Sequence, residues 1–272
     1  MNDDSAREWD EKAEHWHRWA GLLAAMADRF NQPMIEAAAI REGGRVLDLA
    51  SGAGEPALSI ARKVGPQGHV TASDIAPRML EGLRRRAGDE GITNMDFRLL
   101  DMQQLPFADE SFDAVTCRFG IMFPPATDRV LAEARRVLRP GGHAVWLVWG
   151  AMESNTLFER IDALAKEMIG VSLLERPASP FRFAVTDPLL RAAMDAGFAA
   201  TEVRELRFTP SVAVDRPFWI THIEMNYGDA LSKLGEAQRR AFINATEQML
   251  KANAVNGRIS LNTHARLITC RR

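Results

Sequence analysis

Between residues 5 and 30 the large apolar side chains Trp9, Trp16, Trp19, Leu22, Leu23, Met26 and Phe30 recur at helical spacing. That pattern predicts an amphipathic helix whose apolar face must cover something. Pro33 and the Gly43-Gly44 pair then punctuate the approach to a different rhythm. RVLDLA (45–50) is predicted to be a buried strand, EPALSIARKV (55–64) a helix with Pro56 in its first turn, and HVTAS (69–73) a second strand. A helix over 77–88 follows, then strands over 95–100 and 112–117, a helix over 125–138, and a strand over 143–149. Regular alternation of this kind predicts a mostly parallel sheet with helices on both faces.

Beyond Trp149 the rhythm breaks. Residues 153–169 and 186–196 read as helices around the Pro-rich ERPASPFRF, TEVRELRF (201–208) and RISLNTHARLITC (258–270) as strands, and 215–256 as two helices between them. The expected fold is therefore α/β, a Rossmann-like doubly wound sheet of about seven strands, mostly parallel with an antiparallel last strand. Residues 1–272 form one domain in this reading. An N-terminal helical lid spans 1–44, a core 45–150, helical cap insertions 151–200 and 211–257, and a final strand pair 201–210 and 258–272.

Composition removes several classes. With 34 Lys+Arg against 36 Asp+Glu the net charge is -2, so no global positive field gathers nucleic acid or an anionic membrane. The two cysteines, Cys117 and Cys270, lack the spacing of a zinc site or disulfide framework, which suits a reducing compartment, the cytoplasm. The acidic N-terminus lacks a signal-peptide pattern, and no apolar run is long enough for stable membrane insertion. A homodimer is compatible with the sequence.

The first strand runs into Asp48-Leu49-Ala50-Ser51-Gly52-Ala53-Gly54-Glu55-Pro56-Ala57, where glycines let the backbone approach a ligand at the sheet's carboxyl edge. Alone this is a weak signal. It also satisfies a relaxed dinucleotide fingerprint, with Asp74 where a ribose-binding acid would sit. More information lies in the ordered set VLDLASGAG, ASDIAPRML, LLDMQQLPFADESFDAV and ARRVLRPGGH. Over roughly residues 44–150 this set resembles the class I S-adenosylmethionine-dependent methyltransferases, in particular the quinone-biosynthesis, UbiE-like (methyltransferase type 11) branch. Departures are Pro56, where many relatives carry a third glycine, and Ser51, where many carry cysteine.

The resemblance implies S-adenosylmethionine as cofactor and a small-molecule acceptor, with no nucleic acid. It implies that Asp48 attracts the cofactor ammonium, that Ala50, Gly52 and Gly54 leave room for its methionine portion, and that Asp74 binds both ribose hydroxyls. Ile75 and Met79 would flank the adenine, Asp101 would take its amino group with Met102 beside it, and Trp16 would close the lid over the cofactor. Arg118 joins this cofactor set. Phe119, Met122, Phe123, Trp149 and Trp219 are expected around the acceptor, which favours an aromatic or quinone-like carbon or oxygen, with nitrogen and sulfur open. His222 is the candidate general base, with His15 and His17 as competitors; each is more often a packing or surface histidine. The rival readings are a nicotinamide-dependent oxidoreductase and a catalytically silent binder of the same cofactor. Tyr227 lacks a lysine four residues on, Leu231 standing there, so the tyrosine-lysine pair of short-chain dehydrogenases is absent.

Overall fold

The computed structural model describes residues 3–215 and 217–272, apart from the side chains of Asp3, Leu22, Leu23, Ala25 and Met26. The expected contributions of Leu22, Leu23 and Met26 to the first helix's apolar face lie outside the described residues. Strands β1 (Arg45–Leu49), β2 (His69–Asp74), β3 (Met95–Leu99), β4 (Phe112–Arg118) and β5 (Leu138–Trp149) alternate with α2 (Ala57–Val64), α3 (Pro77–Asp89) and α4 (Thr127–Val137), after a long α1 (Asp3–Ala37). The second half adds α5 (Thr156–Ile169), α6 (Asp187–Asp195), β6 (Ala200–Phe208), β7 (Ser211–Ala213), α7 (Trp219–Ser232), α8 (Glu236–Ala252), β8 (Arg258–Ser260) and β9 (Thr263–Arg271).

One seven-stranded sheet has the order β3-β2-β1-β4-β5-β9-β6, and β9 runs antiparallel to both its neighbours. The expected Rossmann-like fold is present. Each flanking helix presents one apolar stripe to the sheet, Leu58, Ile60 and Val64 on α2 and Val130, Leu131 and Val137 on α4, all fully buried. One core joins α4 and α6 to the sheet, another lies under α2, α3 and the end of α1, and a third fills the cap around α5, α7 and α8.

Several features differ from the sequence pattern, and β5 begins at Leu138 rather than at the expected 143. Helix α1 continues through Pro33 to Ala37, because Met34 and Ile35 bury against the sheet core and outweigh the amide hydrogen bond that proline forgoes. Pro56 stands just before α2 rather than in its first turn. The stretch 258–270 is two strands, since the amides at its break bond elsewhere: Leu261 N–H donates to the Pro210 carbonyl (2.9 Å) and Asn262 N–H to Thr156 Oγ1 (3.0 Å). β8 consequently pairs with β7 in a separate two-stranded sheet. Finally, α6 packs Leu189 and Ala193 into the α4 core, so the segment 151–200 divides between cap and sheet layer instead of belonging wholly to the cap.

Candidate active site

The strand order reverses between β1 and β4, and the crevice at such a switch point is where open α/β sheets bind ligands. A cavity of about 210 Å³ opens there, walled by residues at the carboxyl ends of β1 to β5, by α1 and by the cap. Two non-glycine wall residues at strand tips, Ala50 (φ 52°) and Phe119 (φ 56°), have left-handed backbones. Such strain persists only where surroundings over-determine it. For Phe119 they do: its N–H donates to the Leu147 carbonyl (2.9 Å) and its ring stacks on Trp149 at 4.0 Å and 8°.

Three carboxylates stand at successive tips. Asp48 is fully buried beneath the glycine turn; its Oδ1 accepts the Thr116 hydroxyl (2.6 Å), while Oδ2 has no partner among the described residues. Burial pushes its pKa up to about 7, against the opposing pull of hydrogen bonds and of the Arg118 charge. An unpaired buried oxygen is costly, and a cationic group arriving from the cavity, directly or through water, would relieve it. Asp74 accepts N–H groups from Gly52 (2.9 Å) and Ala76 (3.0 Å) through different oxygens. Burial raises its pKa, and those backbone donors hold it back. Asp101 accepts from the Gln103 backbone (2.9 Å) and side-chain amide (3.0 Å), and Gln103 Oε1 in turn accepts Ala126 N–H (3.0 Å).

Beside the glycine turn lies a polar cluster that the motif reading missed. Glu55 accepts from Asn31 Nδ2 (2.8 Å), Ser59 Oγ (3.0 Å) and Arg86 Nη2 (3.3 Å), and Arg118 Nη1 donates to Asn31 Oδ1 (3.4 Å). Burial lowers the Arg118 pKa, while the Glu55 and Asp48 charges oppose the shift. The signal for Arg86 was absent from any local motif, because it reaches Glu55 and the Ala53 carbonyl from a different helix.

Trp9 and Trp16 of α1 face the cavity. Two sets of bonds fix the helix over it. Asp10 accepts Arg78 N–H (2.8 Å) and His17 Nε2 donates to the Arg78 carbonyl (2.9 Å), tying α1 to α3. On the cap side, Glu224 accepts Trp19 Nε1 (2.8 Å) and pairs with Arg18 (3.3 Å) and His15 (3.4 Å), and Lys12 pairs with Asp229 (3.3 Å). A Cβ on Gly82 of α3 would meet the His17 ring, so a larger residue there would displace that ring from the Arg78 carbonyl.

Of the anticipated site residues, Trp16, Ala50, Gly52, Asp74, Ile75, Met79, Asp101, Met102, Arg118, Phe119, Phe123 and Trp149 line the cavity. Asp48 lies one layer beneath. Gly54 (φ 121°) is not among the wall residues, and a Cβ there would meet Leu58, Leu83 and Arg86, so packing calls for glycine at this position. Met122 and Trp219 are absorbed into hydrophobic cores rather than the cavity wall. His222 also sits behind the wall, edge-on to Phe158 at 4.4 Å, and burial depresses its pKa to about 3. So weak a base, off the cavity, is poorly suited to take a proton there. His15 and His17 are engaged at the lid seams just described.

Residues 46–142 match the methyltransferase domain family. The ubiquinone/menaquinone biosynthesis C-methyltransferase UbiE of Pseudomonas aeruginosa is 37% identical over 136 residues, which are 50% of this chain and 53% of that protein. The chain thus spans about half the length of the curated relatives it matches. Among solved structures, the YcgJ protein of Bacillus subtilis superposes with a TM-score of 0.59 at 23% identity, covering 89% of this chain and 97% of that one. A phosphoethanolamine N-methyltransferase of Haemonchus contortus, solved with S-adenosyl-L-methionine, gives 0.57 at 19% identity over 89% of this chain and 52% of that one. At those identities the structural likeness establishes the fold.

Proposed function

We propose that this chain, whose residues 46–142 are a class I methyltransferase domain of the UbiE-like type, transfers a methyl group from S-adenosylmethionine to a small, largely apolar aromatic or quinone-like acceptor. The observation that carries this reading is that Asp74 and Asp101 line one cavity at the sheet's switch point, with Asp48 one layer beneath the same glycine turn. When bound, S-adenosylmethionine supplies an electrophilic methyl carbon on a sulfonium.

The residues present fit such a group. The partnerless Oδ2 of Asp48 and the cation Arg118 suit an ammonium and a carboxylate respectively, Asp74 retains acceptor capacity for ribose hydroxyls, and Met79 and Ile75 supply apolar walls beside it. Trp9 and Trp16 exclude water and offer aromatic faces to a cation. Beyond them, Phe119, Phe123, Trp149 and Phe158 form the acceptor end. The titratable side chains among the described wall residues are Glu55, Asp74, Asp101, Arg86 and Arg118, all beside the glycine turn or the strand-tip acids. The acceptor therefore has to arrive as a ready nucleophile, an electron-rich carbon or an already ionised oxygen. Alignment alone supplies about 7 to 11 kcal/mol of the barrier reduction in well-oriented reactions, so a protein base is dispensable.

Calorimetric titration with S-adenosylhomocysteine and with NADH tests the cofactor. Binding of the first and not the second is expected; tight NADH binding without response to the nucleoside would end the methyl-transfer reading. A methyl-donor assay across phenols, quinols, amines and thiols then assigns the acceptor class. The oxidoreductase alternative loses further ground because Tyr227 is buried in the cap, its hydroxyl donating to Asp162 Oδ1 (2.8 Å).

A further inference from the structure

The cap turns one polar side chain into an otherwise apolar part of the cavity. Its described wall residues from α5, the Pro-rich loop and α7 are Phe158, Pro180, Met225 and Asn226. Asn226 Nδ2 donates to the His222 carbonyl at 2.9 Å, one turn back along α7. A carbonyl oxygen only accepts, so this bond decides which end of the amide is nitrogen. Oδ1 is thereby left as a hydrogen-bond acceptor, and no described residue donates to it.

The placement of this amide is reinforced from behind. Arg176 Nη2 donates to the Asn226 main-chain carbonyl (2.7 Å), and its guanidinium lies 5.8 Å over the Tyr227 ring. Tyr227 in turn donates to Asp162, which also accepts from Ser172 Oγ (2.7 Å) and Leu173 N–H (2.7 Å). A network of this connectivity holds the middle of α7 and the loop after α5 in one arrangement. These bonds hold the main chain at Asn226, and the His222 carbonyl holds the amide itself.

We infer that Asn226 is the specificity-determining residue of the acceptor end: its Oδ1 accepts a hydrogen bond from a hydroxyl on the acceptor, selecting hydroxylated rings over otherwise similar ethers. This rests on the reading of the cavity as a methyl-acceptor site. A pocket that is mostly apolar with one placed polar group orients its ligand through that group. Such a site rejects an analogue lacking the donor, because desolvating Asn226 Oδ1 then goes uncompensated.

The test is calorimetric titration of the full chain, saturated with S-adenosylhomocysteine, with 4-ethylphenol and with 4-ethylanisole. The wild type is expected to bind the phenol about tenfold more tightly, as one net hydrogen bond gives. Asn226→Ala is expected to abolish that preference while its affinity for S-adenosylhomocysteine stays within twofold, which also certifies its fold. Should the alanine variant fail to fold, Asn226→Leu carries the same comparison. Equal binding of both probes by the wild type, or an undiminished preference in the folded variant, overturns the inference. Failure to bind S-adenosylhomocysteine would sink the methyl-transfer reading instead; titrating the unloaded protein with the same two probes would then decide the role of Asn226 separately.

Discussion

Replacing Asp48 by asparagine should make the protein more stable and worse at binding its cofactor. Burial pushes the native carboxyl up from the ordinary 3.8 to about 7. Between those values the folded state keeps a proton that the unfolded chain has released, so stability declines as pH rises, and the loss is complete above pH 7. About three pH units at 1.36 kcal/mol each amount to about 4 kcal/mol. Asparagine retains an acceptor for the Thr116 hydroxyl, carries no charge, and leaves a smaller desolvation cost of about 1 to 2 kcal/mol. Asp48→Asn should therefore gain about 2 to 3 kcal/mol at pH 8, a rise in Tm of about 5 °C or more for a chain of this size, and little below pH 4. Its affinity for S-adenosylhomocysteine should fall about 10- to 100-fold, as expected when a charge-assisted hydrogen bond is removed. In the wild type that affinity should weaken as pH drops below about 7, and the variant should lose this dependence. Melting curves at pH 4 and pH 8, paired with calorimetry across the same range, supply both readouts. No stabilisation at pH 8 together with unchanged ligand affinity would refute the assignment of Asp48 as a carboxylate kept ionisable for the ligand.

Other outcomes follow from the same geometry. Asp74→Ala should weaken S-adenosylhomocysteine binding by about 1.5 to 3 kcal/mol in a calorimetric titration, and unchanged affinity in a folded variant would displace the ribose site. His222→Phe should keep kcat within a few-fold of wild type with an unaltered pH profile. A loss approaching the 10²-fold or more that general bases contribute would reinstate it as the base. Because the His222 pKa is depressed to about 3, wild-type stability should also drop as pH falls from about 6.5 towards 3, and His222→Phe should flatten that limb of the melting profile. Glu224→Gln should loosen the lid seam with Arg18 and His15 and speed ligand release several-fold in stopped-flow tryptophan fluorescence, an effect that added salt mimics in the wild type. An unchanged release rate would show that α1 does not open at that seam.

The alternation of buried strands and amphipathic helices over 45–149 was visible in the order of apolar residues, because strand and helix periods are local properties of the chain. The same holds for the glycine turn and the strand-tip acids, which occupy fixed positions relative to their own strands. Tertiary structure decided what local pattern leaves open. Met122 and Trp219 satisfy the composition of an acceptor wall, yet the packing of the sheet core and the cap core claimed them. His222 is an ordinary histidine in sequence, and only the depth to which α7 packs makes it a very weak base behind Phe158. Arg86 meets Glu55 across 31 residues, and Glu224 meets Trp19 across 205. Neither pairing leaves a trace in spacing, because a charge carries no periodicity and its partner is chosen by which surfaces the core brings together. Local sequence determines the elements and the chemistry at their ends; burial and long-range contact determine which of those groups can act.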